Sequence, residues 1–187
     1  MTTEEKIQAL EKISEEIKSF KGIEIARNAL HPVPGEGDPN SKIMFIGEAP
    51  GSQEDQTGRP FVGMSGQMMT KTLKEITGLD RSQVYITNIV KYRPPDNRDP
   101  SEEEIAACKE WLDKQIEIIS PELIVTLGRF SMGKFITGQT ISKIHGQIHE
   151  YGKYKIFPMF HPAAALRGGG VMKAFKEDFL KLKDYLN

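Results

Sequence analysis

Lys42 to Gly51, KIMFIGEAPG, carries four consecutive apolar residues, Ile43 to Ile46, that run without a polar break into a Gly/Pro loop. A short apolar run bounded by turn residues reads as a strand buried on both faces, the kind found in parallel sheets. Downstream, strands and helices alternate. Residues 65–77 have a helical pattern, VYITNIV (84–90) is a second β-branched strand, and RPPDNRDP (93–100) is a loop. Ser101, with Glu104 three residues later, is a capping box that opens a helix through about Ile119. ELIVTLG (122–128) is a third strand, RFSMGKFIT (129–137) a short helix, and YKIFPMF (154–160) a fourth strand that delivers HPAAALRGGG. The last helix, roughly 171–185, places Val171, Ala174, Phe175, Phe179, Leu182 and Leu186 on one side.

Upstream of the first strand, His31 to Ser41 holds three prolines and two glycines, which predicts no regular structure there. Before it, residues 3–19 place Ile7, Leu10, Ile13 and Ile17 on one face of a helix. The pattern predicts an α/β fold with three layers, α/β/α, around a central four-stranded, mainly parallel sheet. Residues 1–187 form one expected domain, with the helix and connecting segment of 1–33 packed on it.

Composition narrows the function classes. The 187 residues include 25 Lys plus Arg, 26 Asp plus Glu, one Cys and four His, for a net charge of −1, with 38% apolar content. That is an ordinary globular balance, which excludes disorder as the main state. One cysteine makes no intrachain disulfide, and the scattered histidines give no zinc-type spacing, so the reducing cytoplasm is the expected compartment. No apolar run approaches the roughly 18 residues of a membrane span, and the acidic, amphipathic start does not resemble a signal peptide. Nucleic-acid binding through overall basicity is excluded, so any such contact is a local patch.

In open parallel sheets, ligands bind beyond the carboxyl ends of the strands. Three loops leave those ends with unusual residues: GEAPG (47–51) after the first strand, Asn88 near the end of the second, and His161-Pro162 after the fourth. A carboxylate, an amide and an imidazole converging there suit a small polar heterocycle. GEAPG has neither the glycine spacing of a dinucleotide fingerprint nor that of a P-loop.

Five segments, GEAPGSQED (47–55), GRPFVGMSGQ (58–67), VYITNIVKYRPP (84–95), ELIVTLG (122–128) and FHPAAALR (160–167), resemble in order and spacing the family-4 uracil-DNA glycosylases, over about residues 34–185. The resemblance implies a repair enzyme that flips uracil out of single- or double-stranded DNA and hydrolyses its N-glycosidic bond, leaving an abasic site. It assigns Glu48, Glu54 and His161 to catalysis, the two carboxylates orienting water and stabilising the cationic sugar and the imidazole donating to uracil O2. The uracil pocket would comprise Gly47, Ala49, Phe61, Asn88 and His161. Phe61 stacks on the base, and the Asn88 amide pairs with N3–H and O4, an edge that cytosine presents with opposite polarity. Ala49 occupies the position where other uracil glycosylases have an aspartate, which shifts the burden to Glu48. DNA contacts fall on Lys91, Arg93, Arg98, Lys143, His145, Ala163 and Arg167, with Leu166 as the wedge that fills the flipped base's place.

Three features depart from the family. Its members typically hold a [4Fe–4S] cluster on four cysteines, and those positions align with Phe20, Ile23, Tyr92 and Cys108. One thiolate does not hold a cubane, which takes about four ligands, so no cofactor is expected and the four residues should form an apolar plug. Ala163 stands where a phosphate-contacting serine is usual. The basic insertion of covalently trapping relatives is missing too, so stable protein–DNA adducts are not expected. The expected partner is uracil-containing DNA, with no membrane and a monomeric chain. Two alternatives stand beside the leading one: the same chemistry on hypoxanthine or xanthine, and a catalytically weak DNA-binding module.

Overall fold

The computed structural model describes residues 1–186. Its elements, in chain order, are α1 (Thr3–Ser19), α2 (Glu24–Asn28), β1 (Glu36–Gly37), β2 (Ile43–Gly47), α3 (Ser52–Thr57), α4 (Met64–Thr77), β3 (Tyr85–Asn88), α5 (Glu102–Ile119), β4 (Leu123–Leu127), α6 (Arg129–Gly133), α7 (Ile141–Ile144), β5 (His149–Tyr151), β6 (Tyr154–Met159), α8 (Pro162–Arg167) and α9 (Gly169–Leu186). No helix among the described residues is long and apolar enough to cross a membrane.

The sheet has six strands in the order β1-β3-β2-β4-β6-β5, so the expected count of four is corrected. The four expected strands form its parallel centre, with Phe45 opposite both Ile86 and Val125 and Thr126 opposite Pro158. Both edges are antiparallel additions. On one edge, Gly37 lies so close to the neighbouring strand that a Cβ there would sit 1.9 Å from the Val84 carbonyl, at a φ of +134°. The glycine that made the segment read as irregular is what lets it pair. The other edge is a hairpin whose outer strand, His149 to Tyr151, is short, polar and largely exposed, and so carries no apolar signature.

Side chains alternate between two apolar layers, as the two-residue period of a strand demands. Met44, Ile46, Ile124 and Ile156 face α1 and α5, meeting Ile13, Ile17, Leu112 and Ile116. Ile43, Phe45, Val125 and Phe157 face α4 and α9, meeting Met69, Leu73, Phe175 and Phe179. Helices therefore cover both faces of the sheet. The capping box expected at α5 is present: Ser101 Oγ accepts from Glu104 N–H at 3.2 Å, and the Glu104 carboxylate accepts from Ser101 N–H at 2.8 Å.

The second strand ends two residues earlier than its apolar run. Ile89 and Val90 turn out of the sheet, and their N–H groups donate to the carbonyls of Gly47 and Glu48, each at 3.0 Å. The chain passes from β2 to β3 on one side and then to β4 on the other. The crevice of such a sheet opens at that reversal, beyond the strand ends.

Candidate functional site

A cavity of about 500 Å³ lies at the carboxyl ends of the parallel strands, bordered by Glu48, Phe61, Asn88, Asp99, Arg129 and His161. Gly47, the last residue of β2, shapes its floor. A Cβ on Gly47 would come within 2.4 Å of both Asn88 Oδ1 and the tip of the Phe61 ring. Only the missing side chain lets those two groups close on each other.

Asn88 is 1% exposed, and its Oδ1 is buried without any hydrogen-bond partner in the protein. An acceptor stripped of water and left unpaired is costly, and folds rarely keep one without a use for it. Phe61 is buried and adopts a φ of +51°, which is strained for a bulky side chain. Two devices hold it there. Arg81 donates from Nη1 to the Phe61 carbonyl at 2.8 Å and from Nη2 to the Pro60 carbonyl, while its Nε is anchored on Glu36 at 2.7 Å. Gly66 lets the first turn of α4 press on the Phe61 backbone, where a Cβ would lie 2.2 Å from its carbonyl carbon. The Phe61 ring centre stands 6.0 Å from that of His161.

His161 caps α8, and its Nδ1 accepts from Ala163 N–H at 3.1 Å. That bond puts the ring proton on Nε2, leaving a donor free. Burial first, and the Arg167 charge second, pull its pKa down to about 4, with Glu54 opposing. At neutral pH His161 is therefore an uncharged N–H donor.

The two carboxylates of the first loop are placed very differently. Glu48 is partly buried in the cavity wall and its side chain makes no hydrogen bond or ion pair among the described residues. Burial raises its pKa above the ordinary carboxylate value, the Asp99 charge adds to that, and Arg129 opposes it. Glu54 borders the cavity too, but both its oxygens are engaged. Oε1 accepts from the N–H groups of Val62 and Gly63 at 2.8 and 2.7 Å, and Oε2 from that of Gly51 at 3.1 Å. Glu54 ties the loop after β2 to the loop carrying Phe61, which is a different task from the water activation expected of it.

Of the expected DNA contacts, Lys143, Leu166 and Arg167 are exposed, and Arg167 and Ala163 border the cavity. Arg93 is half-exposed, with Nε donating to Asn97 Oδ1 at 2.8 Å. Arg98 reaches the cavity rim while holding Glu104 through two bonds of 2.9 and 2.7 Å. His145 Nδ1 bonds to Oδ2 of the buried Asp178 at 2.8 Å, and its ring lies tilted against Phe160, with centres 4.6 Å apart. Lys91 corrects the expectation outright: its side chain is 0% exposed, so it touches no phosphate. Sequence reading also missed the Asp99–Arg129 ion pair at the cavity mouth and the Arg81–Glu36 brace behind Phe61. Nothing in their local sequence distinguishes them from surface charge, because the partners lie 30 and 45 residues apart.

On the far side of the loop after β3, Phe20, Ile23, Tyr92 and Cys108 come together in the apolar cluster under α1 and α5. Tyr92 donates its hydroxyl to the Ile17 carbonyl at 2.7 Å, and Phe20 stacks on Tyr92 at 6.3 Å and meets Trp111 edge-on at 5.1 Å. Burial pushes the Cys108 thiol pKa up, which favours the protonated form over a ligating thiolate. One thiol, an engaged phenol and two hydrocarbon side chains do not fit a four-cysteine cluster. No group of three or more His, Cys, Asp or Glu that could hold a metal ion occurs among the described residues.

Residues 34–185 match the family model described as the uracil DNA glycosylase superfamily. Among curated proteins, the chain is 49% identical to a type-4 uracil-DNA glycosylase of Sulfurisphaera tokodaii, covering 95% of this chain and 85% of that one. It is 43% identical to the type-4 uracil-DNA glycosylase of Saccharolobus solfataricus, over 95% and 87% of the two chains. A third relative, the type-4 uracil-DNA glycosylase of Thermotoga maritima, is 41% identical over 96% of this chain and 95% of its own.

Proposed function

The chain belongs to the uracil DNA glycosylase superfamily, and from that premise we propose that it excises uracil from DNA by hydrolysing the N-glycosidic bond. The observation that carries the base assignment is the buried, unpartnered Asn88 Oδ1. It lacks a donor, and uracil N3–H supplies one; cytosine offers an acceptor at that position and would leave the oxygen unpaired. Discrimination of this type is strong because the penalty falls on a desolvated polar group.

The flipped base lies against the Phe61 ring, with Asn88 Nδ2 donating to O4. As the bond from C1′ to N1 breaks, its electron pair leaves with uracil, and negative charge spreads onto O2. The neutral His161 donates its Nε2–H there, a fixed dipole aimed at charge that develops only in the transition state. The sugar becomes cationic at C1′, a water oxygen bonds to that carbon, and Glu48 takes the water's proton. A free carboxylate is needed for that step, and Glu48 has one. Glu54 keeps the Glu48 loop and the Phe61 loop in register.

Exposed Lys143 and Arg167, with Arg93, Arg98 and the His145 ring, are assigned to phosphates, and Leu166 to the gap left in the stack. The Phe20, Ile23, Tyr92 and Cys108 positions are assigned a packing role in place of an iron–sulfur cluster. Purified protein should show no broad absorbance near 400 nm and no stoichiometric iron; finding both would overturn this assignment.

Cleavage assays on oligonucleotides carrying uracil, hypoxanthine or no lesion, with Asn88→Asp beside wild type, test the base assignment. Uracil release by wild type, sharply reduced in the variant, is expected. Preferential hypoxanthine release would shift the substrate, and DNA binding without any cleavage would replace the enzyme by a binding module.

A further inference from the structure

Lys91 is wholly buried, yet it lies in the loop that leads away from the base-reading Asn88. Its Nζ donates to Thr87 Oγ1 at 2.6 Å, to the Asn88 carbonyl at 2.8 Å and to Gln115 Oε1 at 2.7 Å. Three acceptors match the three N–H bonds of an ammonium group. The acceptors are themselves fixed: Thr87 Oγ1 and Gln115 Nε2 both donate to the Pro34 carbonyl at 2.8 Å. The Lys91 carbonyl accepts from Val33 N–H at 2.8 Å. The side chain thus joins β3 to α5, and the Lys91 backbone, with Thr87 and Gln115, ties both to the segment before β1.

What lies between Asn88 and Lys91 gives this network its reach. The N–H groups of Ile89 and Val90 hold the carbonyls of Gly47 and Glu48. The peptide that Lys91 grips at Asn88 is therefore the start of a four-residue bracket, which ends on the backbone of the catalytic loop. Removing an ammonium from water is expensive, and burial pulls this one's pKa down to about 7. A methionine would fill the same volume without that cost, so simple packing does not account for a lysine here.

We propose that Lys91 is a positioning residue for excision: its ammonium, held by Thr87 and Gln115, fixes the Asn88 peptide and, through the bracket, the Glu48 loop, so that base reader and water activator stay in register. The inference rests on the glycosylase reading of the pocket and extends it to a residue that never touches substrate. Misplacement of reacting groups by about 1 Å is enough to cost about 10²-fold in rate.

Lys91→Met keeps the length and removes the charge. The expected result is a fall of about 10²-fold in the single-turnover rate on uracil DNA, with the Kd for abasic-site DNA and its salt dependence within about twofold of wild type. A phosphate contact would do the reverse, lowering the salt slope by about one and weakening binding; that outcome overturns the proposal. So does a folded Lys91→Met variant with a lower Tm and a wild-type rate, which would make the lysine purely structural. Gln115→Met removes one acceptor from outside the loop, and a folded variant with a rate lowered by about tenfold is expected, given the shared network. Should Lys91→Met not fold, a wild-type rate in folded Gln115→Met overturns the proposal. Wild type run alongside separates the two levels: no uracil release by wild type sinks the glycosylase reading and this inference with it, whereas normal release by wild type and variants sinks this inference alone.

Discussion

Asn88 and Tyr92 are four residues apart and serve opposite ends of one loop, one facing the cavity and the other the cluster beneath α1 and α5. At the cavity end the fold tolerates what it avoids elsewhere: an unpaired buried acceptor on Asn88, a carboxylate without a partner on Glu48, and a phenylalanine at positive φ. At the packed end the Tyr92 hydroxyl has its acceptor and the rest is hydrocarbon in contact. Local rules broken at one end and kept at the other separate what the chain needs for chemistry from what it needs for folding.

The comparison is broken most severely at Glu48. Glu48→Gln should lower the single-turnover excision rate by about 10³-fold while leaving the melting temperature within a degree or two, because a general base contributes about 10²–10⁴ and this one holds nothing together. Wild-type activity should rise with pH as Glu48 loses its proton, at a pH above the ordinary carboxylate range because burial and Asp99 raise its pKa. Activity is lost as pH falls through that value, and the acid limb should vanish in Glu48→Gln.

His161→Ala should cost about 10²–10³, the usual effect of removing one donor to developing charge. Since burial holds the His161 pKa at about 4, no step from this ring belongs in the wild-type profile near neutral pH. A step there that disappears in His161→Ala would show that the ring works as a cation.

Glu54→Gln sharpens the contrast within the first loop. It weakens three charge-assisted bonds, so a stability loss of about 2 kcal/mol is expected in denaturant titration, with a smaller loss of rate than in Glu48→Gln. A larger loss of rate with unchanged stability would return Glu54 to the chemistry. The smallest effect is expected from Tyr92→Phe, about 1 kcal/mol of stability for one buried hydrogen bond, with excision at the wild-type rate.

The central strands were legible because each is an apolar run closed by turn residues, and α5 because its cap is written in Ser101 and Glu104. The edge strands were not, since two residues built around Gly37 and three polar ones from His149 carry no period to read. In the site, Glu48, Phe61, Asn88 and His161 were legible through their motifs, and the structure brings all four to one cavity. Lys91 was misread because sequence gives its charge without its depth. The anchoring bonds of Glu54 were not legible, because nothing in GEAPGSQED reveals that two turns, at Gly51 and at Val62–Gly63, would close on its oxygens. The Asp99–Arg129 pair stayed hidden because only the tertiary fold brings its members together.

Phe61 has a consequence for anyone who would evolve this protein. Its backbone sits where glycine or asparagine would be at ease, but its ring is buried in the apolar cluster with Phe45, Met69 and Leu73, and truncating a buried Phe costs about 3–5 kcal/mol against about 1–3 kcal/mol of relieved strain. Phe61→Gly or Phe61→Asn would therefore lose stability together with the platform for the base. Selection for robustness and selection for repair pull this one codon in the same direction, and a screen for either keeps the ring.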